Sequence, residues 1–172
     1  MDKPLPDIVK PGLSVVFCGL NPGLSAAAAG HHFVGRGNRF WRVLHLAGFT
    51  PVQIAPERDT SLLAYGLGIT SVVERPTAGV DDLARSEFVD AAVGFERWVR
   101  RYAPRHVAFL GKAAYAAMLG RRTVSWGRQA EPFAGAVAWV LPNPSGRNLA
   151  FSLDALVAAF RELRLSVEDG RA

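Results

Sequence analysis

A single cysteine, Cys18, stands in the 172-residue chain. Neither an intramolecular disulfide framework nor a cluster held by four thiolates can be built from it. Lysine is scarce, with only Lys3, Lys10 and Lys112 among 20 basic residues; the remaining cations are arginines, which suit bidentate phosphate contacts. No apolar run approaches the roughly 20 residues a membrane span requires. The opening MDKPLPDIVKPG lacks the hydrophobic region of a signal peptide, so a cytoplasmic protein with no membrane partner is expected. The Gly111-Lys112 pair does not complete a phosphate loop, because His106 and Ala113 stand where GxxxxGK[ST] requires glycine and a hydroxyl residue. The HxE and PCxxC ligands of a zinc deaminase are missing. Adjacent His31 and His32 point in different directions, and no HxxxH, CxxC or carboxylate pattern completes a metal site around them. Neither metal nor cofactor is expected. No internal repeat or low-complexity tract divides the chain, and one domain over 1–172, functioning as a monomer, is the expectation.

What is present suits a full core and a polyanionic partner. Hydrophobic residues make up 49% of the chain, and the formal net charge is +5 with a sequence pI near 10.0, a balance that favours nucleic acid. Residues 1–12 carry three prolines and no periodicity, which reads as an arm leading into the sheet and carrying no chemistry. Unbroken apolar or β-branched runs predict strands over Leu13–Cys18, Gly68–Val73, Val107–Leu110 and Ala136–Leu141. Between them the spacing predicts helices over Asn38–Ala47, opened by Asn38 and closed by Gly48, with a helix end at Leu62–Tyr65. A longer helix over Ser86–Tyr102 turns Phe88, Val89, Ala92, Phe95 and Val99 inward; another covers Ala113–Leu119. A closing helix carries Leu153, Leu156, Val157, Phe160 and Leu163, and residues 165–172 are expected to fray. The alternation predicts an α/β fold with a doubly wound, mostly parallel sheet of about four strands between helical layers. Cys18 belongs in its core. Arg121, Arg122 and Arg128 surround Trp126 in a polar segment, a candidate phosphate contact or an ordinary surface loop.

Two stretches resist a purely structural reading. Phe17–Trp41 (FCGLNPGLSAAAAGHHFVGRGNRFW) breaks from the first strand into an Asn21-Pro22-Gly23 turn, at the strand end where open α/β sheets place their ligands. The same turn chemistry returns after the last strand as Pro142-Asn143-Pro144-Ser145-Gly146-Arg147, and a third loop, Glu74-Arg75-Pro76-Thr77, is placed to border the same cleft. With GLNPGL, GHHFxGxGNRFW and LPNPSGR in hand, and with DIVKPGLxVVFCG, GITxVVERPT and SLDALVAAFREL around them, the chain resembles the mismatch-specific uracil/thymine DNA glycosylases of the uracil-DNA glycosylase superfamily. The likeness runs over nearly the whole length and implies a three-layer α/β/α fold. The lone cysteine sets it apart from the iron-sulfur branch of uracil glycosylases.

The resemblance implies site roles residue by residue. Asn21 matches the asparagine whose amide positions the attacking water; an amide cannot serve as a general base, so excision would be slow and depend on a base that leaves readily. Gly23 lets its backbone approach a flipped pyrimidine, and Phe33 matches the stacking aromatic. His32 either bonds the water or base edge or lies on the surface, and Ser71 and Ala26 occupy positions that bear on pocket selectivity. Asn143, Pro144, Ser145, Gly146, Arg147 and Asn148 match the segment that enters the minor groove, with Arg147 at the wedge position. The implied partner is duplex DNA carrying uracil, with thymine or ethenocytosine as further candidates, mispaired with guanine; excision by base flipping would leave an abasic site. Two alternatives stay open: a non-catalytic binder of DNA lesions, and a hydrolase of free nucleosides or nucleotides.

Overall fold

Strands that are apolar on both faces can be satisfied only between two helical layers. The computed structural model, which describes residues 4–170, has this three-layer α/β/α arrangement. Strands β1 (Val15–Gly19), β2 (Leu67–Ser71), β3 (His106–Leu110), β4 (Gly127–Arg128) and β5 (Val137–Leu141) form one sheet in the order β2-β1-β3-β5-β4. The four long strands are parallel, with Phe17 opposite both Ile69 and Ala108, and Ala108 opposite Trp139. Helices α1 (Leu24–Ala29), α2 (Phe40–Leu46), α3 (Arg85–Tyr102), α4 (Ala113–Met118) and α5 (Leu153–Asp169) complete the chain, with 3-10 turns at Pro56–Tyr65 and Val80–Asp82.

Side chains alternate across a strand, and the core divides accordingly. Val15, Phe17, Ile69, Ala108, Leu110, Trp139 and Leu141 face α2 and α5, where Phe40, Leu44, Leu156, Phe160 and Leu163 complete the packing. Phe17 lies at its centre, edge-on to Phe40 at 5.4 Å and stacked on Phe160 at 5.9 Å. Cys18, Val107, Phe109, Ala138 and Val140 face the other way, against Phe88, Phe95 and Val99 of α3 and Ala114 and Tyr115 of α4. Burial pushes the Cys18 thiol pKa well up, as befits a core residue rather than a nucleophile. Helix α2 begins at Phe40 with Arg39 at its N-cap, not at Asn38 as expected; Asn38 precedes the cap, its Oδ1 accepting from the Phe40 N–H at 2.9 Å.

Several expectations need correction. The four parallel strands are those expected, and the sheet adds β4, a two-residue antiparallel edge beside β5, too short to leave a periodic signature. Val89 points outward and is 49% exposed, because one 100° step from Phe88 carries it off the buried stripe. The tail does not fray from residue 165: α5 continues to Asp169, Val167 is buried, and Arg105 donates to the Gly170 carbonyl at 2.9 Å. Residues 171–172 of that expectation, and 1–3 of the arm, lie outside the described residues. The rest of the arm is fastened to the sheet. Ile8 exchanges backbone hydrogen bonds with Ile69, and the Asp7 carboxylate accepts from Thr70 Oγ1 at 2.7 Å and Trp98 Nε1 at 3.0 Å. No helix among the described residues is long and apolar enough to cross a membrane.

Candidate active site

Parallel strands deliver their following loops to one edge of the sheet, and the crevice opens where successive connections depart to opposite sides. Here the connection from β1 leads to β2 on one flank, while β3 lies on the other. A cleft of about 1070 Å³ opens at this edge, bounded by Gly19–Gly23 after β1, Ser71 and Thr77–Asp81 after β2, Leu110–Ala113 after β3 and Asn143 with Ser145–Leu149 after β5. The β1 and β5 loops, and the third loop expected at its border, thus share one cavity.

Asn21 is held by two hydrogen bonds in the cleft. Its Nδ2 donates at 2.8 Å to the Arg75 carbonyl and at 2.8 Å to Thr77 Oγ1, whose own proton is committed to the Gly79 carbonyl at 2.8 Å. A carbonyl can only accept, and a hydroxyl that donates elsewhere can only accept here. The amide therefore cannot be flipped without losing both bonds, and Oδ1, with no donor among the described residues, remains for a ligand. The Arg75 guanidinium is in turn held by Glu87 in a bidentate pair, both contacts at 3.0 Å, and donates to the Asp82 carbonyl at 3.1 Å. Glu87 also accepts from the Ala84 N–H at 2.8 Å, so the start of α3 braces the loop that orients Asn21. Hydrogen bonding to Arg75 holds the Glu87 pKa below its ordinary value and raises that of Arg75. Asp81 is the one carboxylate among the described residues lining the cleft, and it sits on the Val80–Asp82 turn, not on the β1 loop.

Gly23 begins α1 and is pinned from both sides: Thr77 N–H donates to Pro22 O and Leu24 N–H to Thr77 O, each at 3.1 Å. The Gly23 N–H has no acceptor among the described residues, and an added Cβ would meet no protein atom within 4 Å, leaving space for a ligand to approach the backbone. Phe33 has a left-handed backbone, φ 55°, a conformation that costs a residue with a Cβ about 1–3 kcal/mol and recurs at ligand sites. It lays the half-buried ring against Phe40 at 4.2 Å between centroids and 31° between planes. Ser71 closes β2 near the floor: a Cβ at Gly19 would lie 3.7 Å from Ser71 Oγ and 3.9 Å from the Phe33 ring.

His32 is not a surface residue. It is 5% exposed, its N–H donates to Asp59 Oδ2 at 3.1 Å, and its Nε2 lies 2.8 Å from the Pro6 carbonyl. That carbonyl requires the proton on Nε2, leaving Nδ1 as an acceptor. Burial lowers the His32 pKa and favours the neutral ring. The N-terminal arm, expected to carry no chemistry, thus orients a histidine of the cleft wall, and Leu5 lines the cleft beside it. His31 turns elsewhere, with Nδ1 3.4 Å from Asp59 Oδ2.

The β5 loop is built from its own side chains. Asn143 Oδ1 accepts from the Ser145 N–H at 3.0 Å, Ser145 Oγ from the Arg147 N–H at 3.3 Å, and Asn148 Nδ2 donates to the Asn143 carbonyl at 2.9 Å. Pro144 is buried. Gly146 lies so close to the β1–α2 connection that a Cβ there would be 2.9 Å from the Gly37 carbonyl oxygen. Arg147 reaches across the mouth: a Cβ at Gly79 would lie 2.6 Å from its Nη1, and its guanidinium makes no hydrogen bond among the described residues.

Three residues that line the cleft carry no clear signal in the sequence. The sequence places Thr77 only in a bordering loop, although a hydroxyl after a proline turn facing an asparagine loop is a usable signal. Arg39, at the N-cap of α2, donates to the carbonyls of Phe151, Asn148 and Ser145 at 2.8, 2.9 and 3.3 Å and so ties the β5 loop to α2. Leu149, two residues beyond Arg147, is 91% exposed at the tip of that loop; one leucine in a polar turn carries no signal by itself.

Residues 6–164 match the family model of the uracil DNA glycosylase superfamily. Among solved structures, the chain is similar to the solution NMR structure of a Methanosarcina acetivorans protein proposed to be a uracil DNA glycosylase. The TM-score is 0.58 at 20% sequence identity, over 95% of this chain and 98% of that one. At that identity the likeness bears on the fold.

Proposed function

The chain belongs to the uracil DNA glycosylase superfamily, and on that premise we propose that it is a monofunctional DNA glycosylase that hydrolyses the N-glycosidic bond of uracil mispaired with guanine, leaving an abasic site. The observation that carries this reading is the fixed amide of Asn21, whose Nδ2 is doubly engaged and whose Oδ1 is left for a ligand. An acceptor in this place orients a water by one of its protons and leaves the oxygen lone pair for the sugar C1′. As the bond stretches, the sugar acquires oxocarbenium character and the base takes the bonding pair, so both developing charges need fixed partners. Water adds to C1′ and its proton passes to solvent, since no carboxylate stands on the β1 loop to receive it. A weak nucleophile of this kind favours uracil, which departs more easily than thymine; thymine and ethenocytosine are slower candidate substrates of the same pocket.

Capture of the flipped base rests on Phe33, supported from behind by Phe40, and on the unpartnered Gly23 N–H, which suits a pyrimidine carbonyl. Neutral His32 offers Nδ1 to a proton on the water or base edge, and Ser71 a small hydroxyl at the floor. The segment Asn143–Asn148 would enter the minor groove, with Arg147 swinging from its resting place against Gly79 to replace the extruded nucleotide and meet the orphan guanine. Purified protein incubated with duplexes carrying one uracil, thymine or ethenocytosine opposite each normal base, followed by alkaline cleavage of abasic sites, tests the substrate assignment. Asn21→Ala is expected to slow excision about a hundredfold or more, as loss of one transition-state contact does, with lesion binding retained. Unchanged turnover in that variant would remove Asn21 from the reaction. Release of uracil from free deoxyuridine at a rate matching the duplex would favour a nucleoside hydrolase.

A further inference from the structure

Outside the cleft, beside the wall that carries Lys112, stands an aromatic group that the excision reaction does not use. Trp126 is 42% exposed, while Trp41 and Trp139 are buried and Trp98 is half-buried against Phe95 with its indole bonded to Asp7. Lys112 Nζ lies 4.4 Å from the Trp126 ring centroid, and Phe151 meets the same ring edge-on at 5.3 Å and 82°. Lys112 and Phe151 both line the cleft, whereas Trp126 does not. The indole is therefore joined to the cleft by its two neighbours and faces outward from them. Its turn is held open by a buried amide: Gln129, 9% exposed, donates to the carbonyls on either side of the tryptophan, Ser125 at 2.8 Å and Gly127 at 3.0 Å. The indole N–H has no acceptor among the described residues. Arg122 and Arg128, both exposed, have no ion pair there either.

We propose that Trp126 and Lys112, with Phe151 behind them, form a stacking platform for a nucleotide flanking the target on the DNA strand that enters the cleft. The proposal rests on the reading of the cleft as a DNA site and extends it to a contact that no reacting atom touches. An exposed aromatic backed by a cation is the pairing that holds single-stranded nucleic acid without regard to sequence: the base stacks on the ring and the ammonium neutralises a neighbouring phosphate. A strand emerging past Lys112 meets the platform with its bases unpaired only where the helix has been opened. The contact therefore favours duplex already distorted at the target, and single strands, over intact duplex.

Because Trp126 is the exposed member of four tryptophans, fluorescence isolates it. Uracil-free oligothymidylate is expected to quench the emission of the wild-type chain but not that of Trp126→Phe, which keeps an aromatic ring and should melt at the wild-type temperature. Trp126→Ala should bind oligothymidylate about 5- to 150-fold more weakly, the range corresponding to one stacked base. Quenching that persists in Trp126→Phe, or unchanged affinity in Trp126→Ala, overturns the platform. Uracil excision assayed on the same proteins separates the two readings: normal excision without quenching overturns the platform alone. Quenching by oligothymidylate without excision of any base leaves the platform standing and overturns the glycosylase.

Discussion

An asparagine amide is nearly symmetrical in shape and opposite in chemistry at its two ends, so its partners decide what it can do for a water. In this cleft they are Arg75 O and Thr77 Oγ1, and on the proposed reading Thr77 acts through Asn21 as a positioning residue. Thr77→Val removes one of the two locks at nearly constant volume. Loss of one neutral hydrogen bond of about 1 kcal/mol predicts an excision rate about fivefold lower at saturating DNA, with KM unchanged and with Thr77→Ser restoring the rate. A change in KM alone would place Thr77 in binding instead. At the rim the question is which side chain fills the gap in the stack. Arg147 brings charge and rests against Gly79, whereas Leu149 is apolar and 91% exposed. If Arg147 is the wedge, Arg147→Ala lowers excision from a uracil·guanine duplex far more than from single-stranded uracil DNA. It should also reduce the slope of log affinity against log salt by about one unit. Leu149→Ala should then leave both substrates nearly unaffected; a duplex-selective loss in Leu149→Ala with no change in salt dependence would transfer the wedge to the leucine.

At the scale of elements, the site is a meeting of loops, and two of them meet backbone to backbone at Gly146 and Gly37. A methyl group at Gly146 would lie 2.9 Å from a backbone oxygen, which cannot rotate aside as a side chain can. Gly146→Ala is therefore expected to push the β5 loop off the β1–α2 connection and lower duplex excision several-fold, with little loss of melting temperature because the loop lies outside the core. A large drop in melting temperature with proportionate loss on every substrate would mean that the loop contact is part of the fold instead. The four parallel strands and α2, α3, α4 and α5 were legible because burial on two sheet faces writes unbroken apolar runs and one-sided burial writes a helical period. Asn21, Gly23 and Phe33 were legible because Asn-Pro-Gly at a strand end and a glycine-spaced aromatic have little structural use. Arg39 was not: a cation beside an amphipathic stripe looks like a solvated face until the carbonyls it serves, more than 100 residues away, are brought to it. The edge strand β4 and the docking of the arm through Asp7, Ile8 and Pro6 also depend on long-range pairing, which leaves no local periodicity to read.

For the molecule as a whole, two buried histidines tie stability to pH. Burial lowers the pKa of His32 and of His106, the latter further depressed by Arg105 and Arg128. In the unfolded chain each returns to the ordinary histidine value near 6.5. As pH falls through that value the unfolded chain takes up protons before the folded one does, so the equilibrium moves toward unfolding. The stability at stake is fully present above about pH 6.5 and is lost progressively below it, down through the folded-state values. Glu87 has the same sign, its pKa lowered by Arg75, but it acts only below the ordinary glutamate range and leaves the histidine window undisturbed. Melting temperature is therefore expected to fall between pH 7.5 and 5.5, each kcal/mol lost appearing as about 2–4 °C for a domain of this size. His106→Gln should flatten part of that slope. His32→Gln should flatten another part while also lowering the plateau, because the bond to Pro6 that fastens the arm is altered with it. The slope rather than the plateau carries the test: a double variant whose melting temperature still falls as steeply over that window as the wild type's would show that other groups set the pH dependence.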